Sequence, residues 1–340
     1  MLLEGTVLTG SAFDPVEGRV VIEDGVITAV EEASVDTDDW ILPAFVNAHT
    51  HIGDAIAKEA GAGLSLEELV APPDGLKHRL LAEASREELV EAMARTVAFM
   101  EQAGTSHFLE FREGGVEGVE ALREAVGASP VEPVVFGRGS ESVLEVADGF
   151  GASSTDDGDF AGVRRAAREA EKLFAIHAGE VDDGDINPAI DLDPDLLVHM
   201  VHAGDLHLDR VADREIPVAV CPRSNLTTGV GLPPVEDLVD RTTVALGTDN
   251  VFLNAPSMFR EMEFAEKLFD LSATDVLAMA TRAGAEAVGV GGGVIEAGEP
   301  ARLLVLDGGS DNLAGARDPV RALVRRAGVA DVERVYLPST

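Results

Sequence analysis

A chain of 340 residues is longer than the usual compact domain and suits a barrel of ~250 residues with a small unit attached. Hydrophobic residues at 46% exclude a disordered chain, and aromatics at 4% exclude a base-stacking platform. The formal net charge of −36, from 62 acidic against 26 basic residues, excludes nucleic-acid polymers and anionic membrane surfaces as partners.

Residues 1 to 40 carry short alternating runs, Gly5 to Leu8, Arg19 to Glu23 and Val26 to Val30. The last two are joined by Asp24-Gly25, a hairpin signal because the tight turn needs positive φ. So small an antiparallel sheet buries no core alone. The far end of the chain offers Ala301 to Leu306 after the loop Glu296 to Pro300, so residues 290–340 are expected to complete a small β-sandwich with residues 1–40. Over 41–289, strands are expected at 41–48, 105–111, 132–137, 147–152, 173–178, 196–200, 217–221 and 243–247. Helical periodicity lies between most of them, clearest from Ser85 to Met100, Phe160 to Glu171, Leu208 to Arg214 and Met258 to Asp270. The pattern predicts an α/β fold with a (β/α)8 TIM-type barrel. A doubly wound open sheet is the structural alternative, but no G-x-G-x-x-G follows an early strand. Residues 53–78, with Gly61, Gly63, Pro72, Pro73 and Gly75, form the candidate lid over the first strand.

In a parallel barrel the functional groups stand at the carboxyl ends of the strands. The first strand ends Ala48-His49-Thr50-His51, and residues at i and i+2 of a strand share a face, so the two imidazoles can share one metal ion. The fifth ends His177-Ala178-Gly179-Glu180, the sixth runs through His199 to His202, and the eighth ends Gly247-Thr248-Asp249. A single histidine at a strand end is more often structural, and a single Asp in such a turn is more often a helix cap. Four metal-competent strand ends in one chain make coincidence a poor explanation.

The stretches Leu42 to His51, His177-Ala178-Gly179-Glu180, Cys221-Pro222-Arg223-Ser224-Asn225-Leu226 and Leu246-Gly247-Thr248-Asp249 resemble the amidohydrolase superfamily. Within it they are most similar to the metal-dependent aminohydrolases that include guanine, cytosine and methylthioadenosine/S-adenosylhomocysteine deaminases and triazine chlorohydrolases. The resemblance spans essentially the whole chain, and it implies that His49, His51, His177 and Asp249 are metal ligands. For the sixth strand both His199 and His202 lie near the end; counting back from the Cys-Pro-x-Ser-Asn segment, as the resemblance directs, favours His199 and leaves His202 near the rim. Many relatives hold two metals bridged by a carboxylated lysine on the fourth strand, but the lysines here are Lys58, Lys77, Lys172 and Lys267, none within 132–152. One divalent ion is therefore expected, zinc first and ferrous iron second. Such an ion lowers the pKa of water from 15.7 to ~7, Asp249 accepts that water's proton, and Glu180 is implied as the general acid/base. Glu110, Arg112, Arg138, Lys77 and His202 are candidate substrate contacts, with Asp54 and His78 weaker ones. Ser224 and Asn225 are expected to support the site structurally.

The implied activity is hydrolytic deamination of an aminated heterocycle, a purine or pyrimidine base or a nucleoside. The alternatives are hydrolysis of a cyclic amide or dechlorination of a heteroaromatic ring, and a catalytically silent metal- or ligand-binding relative. The single cysteine, Cys221, excludes a disulfide framework and the Pro-Cys-x-x-Cys zinc site of the other deaminase class, and it reads as a small buried residue. Met1-Leu2-Leu3-Glu4 lacks the basic start of an export signal and no apolar run spans a membrane, so a cytoplasmic protein is expected, a homo-oligomer being open. Acidity spread along the whole chain fits work in high salt, and a halophilic source is expected.

Overall fold

Two sheets organise the chain in the computed structural model, which describes residues 1–70 and 75–338. The strands, numbered in chain order, begin with β1 (Leu2–Thr9), β2 (Asp14–Glu23), β3 (Val26–Glu32) and β4 (Trp40–Pro43). Next come β5 (Phe45–His51), β6 (Thr105–Arg112), β7 (Glu132–Gly137), β8 (Gly149–Ala152) and β9 (Leu173–Ala178). They continue with β10 (Leu196–His199), β11 (Val218–Val220), β12 (Val244–Leu246) and β13 (Asp249–Asn250), and close with β14 (Leu303–Leu306) and β15 (Val332–Tyr336).

The terminal strands form one continuous six-stranded ladder in the order β15-β14-β4-β1-β2-β3. Its β2–β3 turn is the expected one, with Asp24 and Gly25 both at positive φ (49° and 77°). Leu3, Val7, Val20, Ile22, Ile27, Ile41, Leu303 and Val305 pack together on one face. Trp40, Leu42, Leu304 and Leu306, of the other parity, join the main core. β4 bridges the two ends of the chain, parallel to β1 and antiparallel to β14. The apolar run 41–48 is therefore not one strand. Ala44 N donates to Arg302 O (2.9 Å), Phe45 N donates to Gly104 O (2.8 Å), and the chain crosses from one sheet to the other between them.

The second sheet is parallel throughout, in the order β12-β11-β10-β9-β8-β7-β6-β5-β13. β12 and β13 stand at opposite ends of that order, yet only Gly247 and Thr248 separate them in the chain. The sheet must curl until its ends are neighbours, and Thr248 N donates to His49 O (3.1 Å) across the junction. Val46, Ala48, Leu109, Phe111, Phe136, Ala175, Val198, Ala219, Cys221 and Ala245 form a cluster from seven of these strands. Cys221 is wholly buried there, as expected of a small apolar side chain.

The segment after β5 holds more structure than a glycine- and proline-bearing loop suggests. A 3-10 turn (Ile52–Ala57) is followed by α1 (Leu66–Val70) and α2 (Leu76–Glu83), then α3 (Arg86–Gln102); residues 71–74 of the expected lid lie outside the described residues. Ser65 and Glu68 exchange side-chain and main-chain hydrogen bonds, a capping box that starts α1. The same device, Ser85 with Glu88, opens α3.

Candidate active site

Four strand ends converge on one point. His49 and His51 leave the same face of β5, with ring centroids 4.9 Å apart. His177 from the end of β9 lies 4.9 Å from His49, and His199 from the end of β10 lies 5.4 Å from His177. Asp249 opens β13, paired with Thr50, and its Oδ1 is 3.3 Å from His49 Nε2 and 3.7 Å from His51 Nε2. Glu180 completes the group, its Oε2 3.5 Å from His199 Nε2. Potential ligand atoms lie within 4.8 Å of one another in each of three sets: His49, His177 and His199; His49, His51 and Asp249; Glu180, His199 and Asp249.

His51, His177, His199 and Asp249 are held from behind. His177 Nδ1 faces Ala152 O at 2.8 Å, and His51 Nδ1 faces both Phe111 O and Glu113 Oε1 at 3.0 Å. Ser224 Oγ donates to Asp249 Oδ2 (2.6 Å), and the Asn225 amide lies against His199 Nδ1 (3.3 Å), so the helix Pro222–Thr228 braces two of the converging groups. Ser224 and Asn225 thus contact the cluster through its members. His199 and Asp249 have positive φ (78° and 58°), a left-handed conformation uncommon outside glycine.

The donor set fits a metal ion. His49 is fully buried, and neither of its ring nitrogens has a hydrogen-bond partner, a costly arrangement unless another ligand takes a lone pair. Burial lowers the pKa values of His49 and His177 and pushes His51 down to about 3, which favours the neutral ring with a free lone pair at these three positions. Burial raises the Glu180 carboxyl above its ordinary range.

The cluster floors a cavity of about 640 Å³ lined by His51, His177, Glu180, His199 and Asp249, with Lys77, Arg138 and Asn250 on its wall. Lys77 and Arg138 line the cavity. Glu110, Arg112 and His202 do not. Glu110 is wholly buried, accepting from Thr50 Oγ1 and Ile52 N (both 2.8 Å). Arg112 is 2% exposed and packs beneath Gly53, where an added Cβ would lie 1.4 Å from its Nη1. His202 is exposed and does not line the cavity. Asp54 is buried against Phe252 N and His78 is turned to Val70 O, so neither lines the cavity. Sequence reasoning missed Glu113, Asn250 and the pair Ser154 and Asp185, whose carboxylate accepts from Ser154 Oγ (2.7 Å) and Gly179 N (2.7 Å). Glu113 and Ser154 lie within two residues of a strand end, whereas Asn250 is in β13 and Asp185 precedes the helix Ile186–Asp191.

Residues 40–334 match the model of the amidohydrolase family. A putative aminohydrolase of Archaeoglobus fulgidus is 36% identical over 326 residues, covering 94% of this chain and 92% of its own. A 5-methylthioadenosine/S-adenosylhomocysteine deaminase of Haloarcula marismortui is 28% identical over 374 residues, covering 91% and 84%. Among solved structures, zinc-complexed atrazine chlorohydrolase from Arthrobacter aurescens superposes with a TM-score of 0.83 at 18% identity, over 99% of this chain and 94% of that one.

Proposed function

Because this chain belongs to the amidohydrolase family, we propose that it is a metal-dependent deaminase that replaces the amino group of a small nitrogen heterocycle with oxygen, consuming water and releasing ammonia. The deaminase names among its relatives support the reaction class. In this reading the nine-stranded sheet is a (β/α)8 barrel, spanning about residues 41–289, and the terminal sheet is the small unit beside it, formed by 1–40 and 290–340.

His49, His51, His177, His199 and Asp249 would hold one divalent ion, zinc or ferrous iron. When bound, the ion supplies a Lewis acid that makes water a competent nucleophile near neutral pH. The chain's own groups do the rest. Asp249, aimed by Ser224, accepts the water's proton. Glu180 carries a proton to the ring nitrogen and then to the departing amine, which leaves as ammonia. Lys77 and Arg138 on the cavity wall orient the ring by its hydrogen-bond acceptors.

The observation that carries this reading is the place of Glu180, at the cavity and within reach of both His199 and Asp249. Metal analysis tests the centre. Wild type and His202→Ala should each hold one equivalent per chain, and His199→Ala should lose it. Two equivalents in wild type, or a His199→Ala protein that keeps its metal, would contradict the assignment.

A further inference from the structure

The geometry points to Glu113 as a positioning residue for His51. This rests on the reading of His51 as a metal ligand. Glu113 follows β6 directly, and its side chain is 11% exposed. Its Oε1 lies 3.0 Å from His51 Nδ1, 2.7 Å from Lys77 Nζ and 3.4 Å from Arg138 Nη1, while Oε2 is 3.6 Å from Arg112 Nη1. One carboxylate therefore touches a proposed ligand and both cations of the cavity wall.

The other proposed histidine ligands have different neighbours at Nδ1. His177 meets a main-chain carbonyl and His199 an amide, and His49 meets no hydrogen-bond partner. Among the described residues, only His51 has a carboxylate at Nδ1. An acceptor at Nδ1 keeps the proton on that nitrogen and leaves the Nε2 lone pair directed into the cluster, toward Asp249. A charged acceptor also raises the basicity of the ring and so its strength as a ligand. Phe111 O, at the same distance, fixes the ring's direction, and Glu113 adds the charge. Lys77, Arg138 and Arg112 surround that charge, which compensates for its burial. Glu113 thereby ties the strength of the metal centre to the placement of Lys77 and Arg138, and removing its charge should loosen both.

The test is Co²⁺ titration of metal-free protein against a competing chelator, followed through the visible absorption of bound Co²⁺. Glu113→Gln keeps the size of the side chain and one acceptor oxygen and removes its charge. It should weaken Co²⁺ binding about 10-fold or more and change the absorption spectrum, with circular dichroism unchanged. Lys77→Met leaves Glu113 on His51 and should keep Co²⁺ affinity. Should Glu113→Gln alone not fold, the double variant Glu113→Gln/Lys77→Met removes one uncompensated cation and should show the same loss relative to Lys77→Met. Wild-type affinity and spectrum in Glu113→Gln, with wild type binding Co²⁺, would overturn the role of Glu113 alone. A wild type that takes up no Co²⁺ would overturn the metal-centre reading and this role with it.

Discussion

Glu180 and His202 each stand three residues beyond a strand-end histidine, and the fold sends them to different places. Gly179, at φ 66°, turns the chain so that Glu180 enters the cavity, whereas His202 N is tied to Gly179 O (2.9 Å) and its ring is exposed. Spacing is identical, so spacing alone does not separate a proton carrier from a rim residue. Glu180→Gln keeps the volume of the side chain and loses its proton-carrying capacity. It should retain metal and lose ~10² to 10⁴ in turnover, measured as steady-state rate at matched metal content. Near-normal turnover would remove Glu180 from the mechanism. Glu110 and Arg112 were misplaced for a related reason. Every residue of β6 is buried, so alternation of apolar and polar residues cannot tell the side that faces the cavity from the side that faces the 52–54 turn. Glu113 was invisible because its partners come from His51, Lys77 and Arg138, on separate elements.

At the scale of elements, starts were more legible than crossings. Ser85-x-x-Glu88 opens a helix expected to run to Met100 and observed as Arg86–Gln102, because the cap is a local hydrogen-bond pattern. The crossing at Ala44 left no such mark, since β4 and β5 are both wholly buried and both apolar at the join. Gly247, between β12 and β13, shows how closely the ends of the curled sheet approach. A Cβ there would lie 2.6 Å from His49 Cβ and 2.8 Å from His49 N. Both atoms belong to a buried strand that cannot retreat far. Gly247→Ala should therefore cost about 1–3 kcal/mol of stability by overpacking, and should weaken metal binding by displacing His49. Chemical denaturation and the Co²⁺ titration measure the two effects. Unchanged values in both would mean that the junction is looser than these distances imply.

For the whole molecule, the alternation of strands and helices between two terminal strand-rich stretches followed from hydrophobic periodicity, while the order of the strands in each sheet and the convergence of four strand ends needed three dimensions. Among the described residues no helix is long and apolar enough to cross a membrane. The 36 excess negative charges repel one another at a range that salt shortens, from ~10 Å at 0.1 M to ~3 Å at 1 M. We therefore expect the melting temperature to rise as KCl is taken from 0.1 M toward molar concentration, consistent with a halophilic origin. Loss of the fold in molar KCl would contradict that expectation. Deamination is tested by ammonia release from the metal-loaded protein in high salt, over a panel of aminopurines, adenosines and cytosines. At least one member should yield ammonia stoichiometric with the hydroxylated or oxo product, abolished by metal removal and by Glu180→Gln. Metal-loaded wild type that binds a member of the panel yet releases no ammonia from any of them would contradict it.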